Sequence, residues 1–195
     1  MQPSAPSVTQ PASDIPPGRP PEISQPTATA PSDPNAPVPL VDDKGNPVLN
    51  EDGQPILRPA SLDPHFFIER GLEDKRIVDD MIRNGGVGGA AAADAYRAWE
   101  LSRFLWWQPW DAQRVGKEYH PEFVDYASVI IGLYAAATGM TRDEILTLQD
   151  LAAAVGSRFR KGAQYDTVYK NLRVQNVQNT DLGYTLFLSE RIGSR

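Results

Sequence analysis

Residues 106–139, WWQPWDAQRVGKEYHPEFVDYASVIIGLYAAATG, decide the fold. The stretch joins an aromatic, charged connector to the most apolar helix-forming run of the chain. Pro121 pre-sets φ for a first helical turn and has no N–H to leave orphaned there, so a helix is expected to start at His120 or Pro121. Gly139 supplies the permissive residue that ends it. Phe123, Tyr126, Ala127, Ile130, Ile131 and Tyr134 recur at helical spacing on one stripe. Val129, Leu133, Ala136 and Ala137 are apolar as well, which leaves Asp125, Ser128 and Gly132 as one narrow polar seam. The expectation is a central helix buried by its neighbours, with any reaction site where the seam meets the connector.

Downstream, Thr141-Arg-Asp-Glu144 reads as a capping box, in which hydroxyl and carboxylate each satisfy an orphan N–H. The helix it opens is expected to run to Val155 and stop at Gly156. A basic patch (Arg158, Arg160, Lys161) follows, then a short helical piece near Tyr165–Leu172. A last helix is expected from Asp181 to Ile192, capped by Asn179 or Thr180. Upstream, Ser61-Leu-Asp63-Pro64 is a turn leading to the cluster His65, Phe66, Phe67 and Ile68. A helix is expected over Leu72–Arg83, stopped by Asn84-Gly85-Gly86. The run GGVGG at 85–89 lacks the Lys-Ser/Thr of a phosphate loop and follows no strand, so it reads as a flexible hinge. Ala90–Trp107 is the next expected helix, closed by Pro109.

The N-terminal third is different. Residues 1–38 are Pro, Ser, Thr, Ala and Gln with almost no large apolar side chains, a composition that cannot offset its ordering entropy. Fifteen of the eighteen prolines precede residue 61, which places the domain boundary there. Within the arm, VDDKGNPVL and NEDGQPIL (residues 41–57) form an imperfect repeat of acid, Gly, polar residue, Pro and apolar pair. Lys44-Gly45 and Asp52-Gly53 are turn formers, and Val48-Leu49 and Ile56-Leu57 are short extended pieces. Two units are too few for a solenoid, so residues 38–59 read as a linker docking lightly on the domain. The expected fold is therefore all-α: one helical domain, 61–195, of about six helices, preceded by a Pro-rich extended arm, 1–60.

Composition bounds the chemistry. Without cysteine there is no disulfide framework and no thiolate zinc site, and two histidines make a multi-histidine metal site unexpected. No metal and no cofactor is implied. No apolar run is long enough for a membrane span, and the start MQPSAPSVTQ has neither the basic nor the apolar region of a signal peptide. Residues 61–195 carry eighteen acids against sixteen bases, which lacks the basic footprint of a nucleic-acid binder. Ala135, Gly139 and Ile145 match the spacing of a helix-turn-helix. The helix that would enter the groove, however, begins Thr-Arg-Asp-Glu, turning two acids toward phosphates.

Two groups of residues are candidates for chemistry. Four tryptophans fall between Trp99 and Trp110; such density forms either a core or a platform for a flat ligand. Trp110-Asp111 lies past Pro109 on a connector, where functional residues concentrate, although Asp111 is also suited to capping a turn. Glu118, His120, Glu122 and Asp125 surround the start of the central helix. Glu122 and Asp125, three apart, share a face. Two neighbouring carboxylates serve as acid and base when their surroundings differ, and otherwise complement the helix dipole.

From roughly Ile77 to Gly193 the chain resembles the bacterial polymorphic toxin type 44 domains. The elements that carry the resemblance are Asn84-Gly85, Trp110-Asp111, Glu122-Phe-Val-Asp125-Tyr126, Gly132 with Ala136–Gly139, Ala153-Ala154-Val155-Gly156, and Asp181 with Gly183. Two elements depart: Ala127-Ser128 stands where the family has Gly-Asn, and Ala112-Gln113 where it has a Lys after Trp-Asp. The resemblance implies a secreted antibacterial toxin, delivered by a signal-peptide-independent route and neutralised by an immunity protein, with the Pro-rich arm engaging the delivery machine. The near-neutral to acidic charge favours hydrolysis of a cell-envelope or protein target over nuclease action. The implied site is Asp111 and Asp125 as acid–base pair, Glu122 tuning them, and Trp110, Ser128 and His120 contacting substrate. The alternative is a non-catalytic subunit of a virion or secretion apparatus whose arm laces neighbouring subunits.

Overall fold

The structure, a computed structural model, describes residues 33–105, 108–115, 118–149 and 163–193, the last segment through residue 173 by its backbone alone. All of them belong to one compact unit. Among the described residues the regular structure is five α-helices, two short 3₁₀ helices and a two-stranded antiparallel sheet, so the protein is mostly helical and not purely α.

The central helix forms as its sequence requires. Pro121–Phe123 makes a 3₁₀ turn that leads into α3, Val124–Ala137, and Gly139 follows with φ +78°. Eleven of the fourteen α3 residues are buried. One side of α3 receives α1, Pro64–Asn84, and another receives α5, Ala163–Leu188. Helix α2, Gly89–Ser102, packs back on α1, and residues 142–149 open α4.

Several boundaries differ from expectation. Helix α1 starts at Pro64 rather than Leu72, because the Asp63 carboxylate accepts the His65 N–H at 3.0 Å and Pro64 fills the first helical position. The glycine run forms an exposed 3₁₀ turn, Gly86–Gly88, and only its flanks are close-packed: a Cβ on Gly85 or Gly89 would overlap the Met81 carbonyl. Helix α2 ends at Ser102, so Phe104 lies in a following turn. There it packs with Phe67, Trp110 and Tyr134 at ring separations of 5.1–5.6 Å. Trp107, Val155, Gly156 and the basic patch at 158–161 lie outside the described residues.

The C-terminal pair of helices is one helix. Asn179 and Thr180 are not caps but buried interior residues of α5, with side chains turned onto α3. The close approach of these helices needs glycine at both crossing points. A Cβ on Gly132 would overlap the Thr180 carbonyl, and one on Gly183 the Val129 carbonyl. The capping box forms as read: Thr141 N–H donates to Glu144 Oε2 at 2.6 Å, and Glu144 N–H to Thr141 Oγ1 at 3.3 Å. Ala135, Met140 and Ile145 are buried together, so the helix-turn-helix-like spacing packs α4 on α3.

The largest correction concerns residues 38–59. Strands β1, Pro37–Pro39, and β2, Leu57–Pro59, pair antiparallel, with Val38 opposite Arg58. Between them the repeat folds twice in the same way. Asp42 Oδ1 accepts from the N–H groups of Lys44 and Asn46, and Asn50 Oδ1 from that of Gln54. Gly45 and Gly53 take φ +83° and +72° at matching positions. Three chain passes then meet: Leu40 N–H donates to Ile56 O, Val48 N–H to Leu40 O and Ile56 N–H to Val48 O, at 2.8–2.9 Å. All three side chains are buried in the main core. The segment is integral to the fold, because the apolar residue after each turn is drawn inward.

Candidate functional site

The polar seam of α3 is real, but it faces α5 and not the connector. Ser128 is buried and donates to Asn176 Oδ1 at 3.2 Å, while Thr180 Oγ1 donates to Ser128 O at 3.2 Å. Gly132 lets the backbones close over the seam's far end. At its near end, on the first turn of α3, the seam opens at Asp125.

Asp125 receives three side-chain amides. Gln175 Nε2 and Asn179 Nδ2 donate to Oδ1 at 2.7 and 2.8 Å, and Asn50 Nδ2 donates to Oδ2 at 3.0 Å. Hydrogen bonds to an ionised carboxylate are the stronger kind, and three of them fix both the acid and its donors. The same three amides, with Glu51, Asp52, Val174 and Gln178, line a cleft of about 170 Å³ between the second turn of the repeat and α5. Asp125 lies behind this lining. Its geometry is that of a positioning residue that sets how the amides face the cleft.

The other expected site residues are held elsewhere. Trp110 is a core residue: Phe66, Phe67, Phe104 and Tyr134 lie within 5.1–6.1 Å of its ring, and the Arg103 guanidinium sits 5.0 Å from the ring centroid. It presents no platform for stacking. Asp111 is buried and caps the connector turn, accepting from Gln113 N–H at 3.2 Å and Arg114 Nη1 at 2.9 Å. His120 and Glu122 form a pair at 3.3 Å, with the imidazole beside the Phe123 ring. Asp125 and Ser128 are thus brought together through α5, while Asp111 and the His120–Glu122 pair have partners of their own.

Sequence reasoning missed Asn50, Glu51, Asp52 and the amides of α5. The signals were present. Asn50 stands where Asp42 stands in the first unit of the repeat, and Gln175-Asn176-Val-Gln178-Asn179 concentrates four amides in five residues.

A second cleft, of about 470 Å³, lies between the first turn of the repeat and the start of α1. His65 lines it, buried, with Nδ1 2.7 Å from Asp63 Oδ1 and Nε2 2.8 Å from Asp43 Oδ1. The Gly193 N–H donates to the other Asp43 oxygen at 2.9 Å, and Arg191 Nη2 to Asp42 Oδ2 at 3.1 Å. Asp42 and Asp43 thereby clasp the turn at residues 191–193.

The described residues contain no group of three or more His, Cys, Asp or Glu arranged to hold a metal ion, and no helix long and apolar enough to cross a membrane. Compared with protein-family models, with curated proteins and with solved structures, the chain matches none.

Proposed function

We propose that this chain is the toxic domain of a secreted antibacterial effector, a hydrolase acting on a cell-envelope or protein target whose polar groups enter the cleft over Asp125. The observation that carries the reading is the placement of Asp125. It belongs to Glu122-Phe-Val-Asp125-Tyr126, one of the elements behind the resemblance to type 44 toxins, and it anchors three amides of the one cleft rich in amides among the described residues. In this reading Asp125 orients the amides, and Glu51 and Asp52 at the rim are the carboxylates open to substrate. Asp111 and Arg114 hold the connector, and the residues before 33 serve delivery. An immunity protein would act by covering the rim.

The test is bacterial growth on inducing the full chain, in the cytoplasm and separately behind an export signal. Residues 61–195 alone would be the wrong fragment, since they lack Leu40, Val48 and Ile56. Killing only on export supports an envelope target. Killing only in the cytoplasm keeps the toxin and moves its target inside. Unimpaired growth in both arms, with folded protein present, would transfer the assignment to a structural subunit.

A further inference from the structure

The polarity of the cleft is set from below, and this narrows what it can hold. Asp125 draws the nitrogen ends of Gln175 and Asn179 to itself, so the carbonyl end of each amide lies away from it. Asn50 gives one N–H to Asp125 and its oxygen accepts from Gln54 N–H. On the rim, Glu51 and Asp52 are exposed, and neither side chain has a partner among the described residues. Among the described side chains the lining includes no Lys, Arg or His. Even with Gln178 and the second N–H of each amide counted, acceptor oxygens outnumber donors among the described side chains, and three carboxylates give these side chains a net negative charge. An anionic ligand is repelled, and a neutral polyol would leave acceptors unpaired. A primary ammonium brings three N–H donors and a positive charge, and its hydrogen bonds to carboxylate and amide oxygens are charge-assisted.

Size points the same way. At roughly 30 Å³ per water-sized group, the cleft of about 170 Å³ holds about five or six non-hydrogen atoms. That is the end of a short aminoalkyl chain, with Val174 as an apolar wall for its methylenes.

We propose that the cleft over Asp125 binds a primary ammonium group on an aminoalkyl chain, as carried by a diamino-acid side chain in a peptide substrate. The proposal rests on the cleft being the substrate site. The experiment is a titration of the isotope-labelled full chain, followed by the side-chain amide signals of Gln175 and Asn179 in NMR. The probes are 1,5-diaminopentane, 1,5-pentanediol and glucose, against wild type and Glu51→Gln/Asp52→Asn. The diamine alone should shift the amide signals saturably. Its affinity should fall as salt rises toward about 0.15 M, and fall about fivefold or more in the double variant. An equal response to the diol or to glucose, or a diamine affinity unchanged in the double variant, would overturn the ammonium assignment. So would silence from all three probes. Killing separates this failure from that of the underlying reading. If Val174→Trp, which fills the cleft, abolishes killing and Glu51→Gln/Asp52→Asn does not, the cleft stands and the ammonium falls. If Val174→Trp kills normally, the cleft itself is not the site.

Discussion

Two regions of this molecule bury polar groups, and they do so in opposite ways. Between α1, α2 and α3, two carboxylates are buried and ion-paired, and Arg70 Nε is buried without a hydrogen-bond partner among the described residues. Asp74 and Glu100 are almost fully buried; Arg70 reaches both, at 3.1 and 3.3 Å, and Arg103 Nε lies 2.9 Å from Glu100. Tyr96 and Tyr134 donate to Asp74 at 2.6 and 2.7 Å. Burial, reinforced by the Asp74 carboxylate, pushes both phenols well above their usual range, so they remain donors. Between α3, α5 and the repeat, a single half-buried carboxylate is matched by neutral amides, and the cluster opens on a cleft. Buried charges committed mainly to one another hold the fold. One carboxylate with amides at a cleft leaves hydrogen-bonding capacity for something else.

The sharpest way to break the contrast is Asp74→Ala, which strips the acceptor from two tyrosines and an arginine in a closed site. Removing one partner of a buried ion pair costs about 3–5 kcal/mol, so chemical denaturation should show a loss of that order. A loss below about 1 kcal/mol would mean the network is not structural. Gly183→Ala comes next. Its methyl would overlap the Val129 carbonyl and force α5 off α3, an overpacking cost of about 3 kcal/mol, and the Asp125 amides should shift with it in NMR.

The smallest effect is acid sensitivity. Burial raises the pKa of Asp42, but hydrogen bonds from Asn46, Arg191 and Lys44 outweigh it and hold the carboxyl below its ordinary value; bonds from Thr141 do the same for Glu144. A folded pKa below the unfolded one means stability is complete above the unfolded values of 3.8 and 4.5 and lost as pH falls beneath them. Denaturation followed from pH 6 to pH 3 should show that loss, and Asp42→Asn should flatten the part due to the clasp around Arg191.

What could be read from sequence follows the range of the forces involved. Local signals were reliable: Pro121, Gly139 and the Thr141–Glu144 box act within one helical turn, and each formed as its chemistry required. The signals that failed have partners far along the chain. Asn179 and Thr180 resemble caps because such side chains satisfy nearby N–H groups; here they satisfy α3 groups more than fifty residues away. Trp110 resembles a binding platform because it follows a proline on a connector, yet the aromatics it packs against come from three other stretches of chain. The repeat was visible as a repeat, and its turns were foreseen. Its burial was not, because Leu40, Val48 and Ile56 are single apolar residues that make a core only when three chain passes meet. The candidate site was half visible for the same reason. Asp125 stood out on its helix, and the amides that define its role come from two remote segments.

The account's central claim is that the cleft over Asp125 is where this protein acts, while the buried charges around Asp74 only hold it together. The most direct measurement is killing by Val174→Trp at matched amounts of folded protein, with the melting temperature recorded beside it. Val174 is exposed, so the substitution should leave melting within about 2 °C of wild type. The account predicts that killing is lost at that unchanged stability. Undiminished killing by a folded Val174→Trp protein would contradict it.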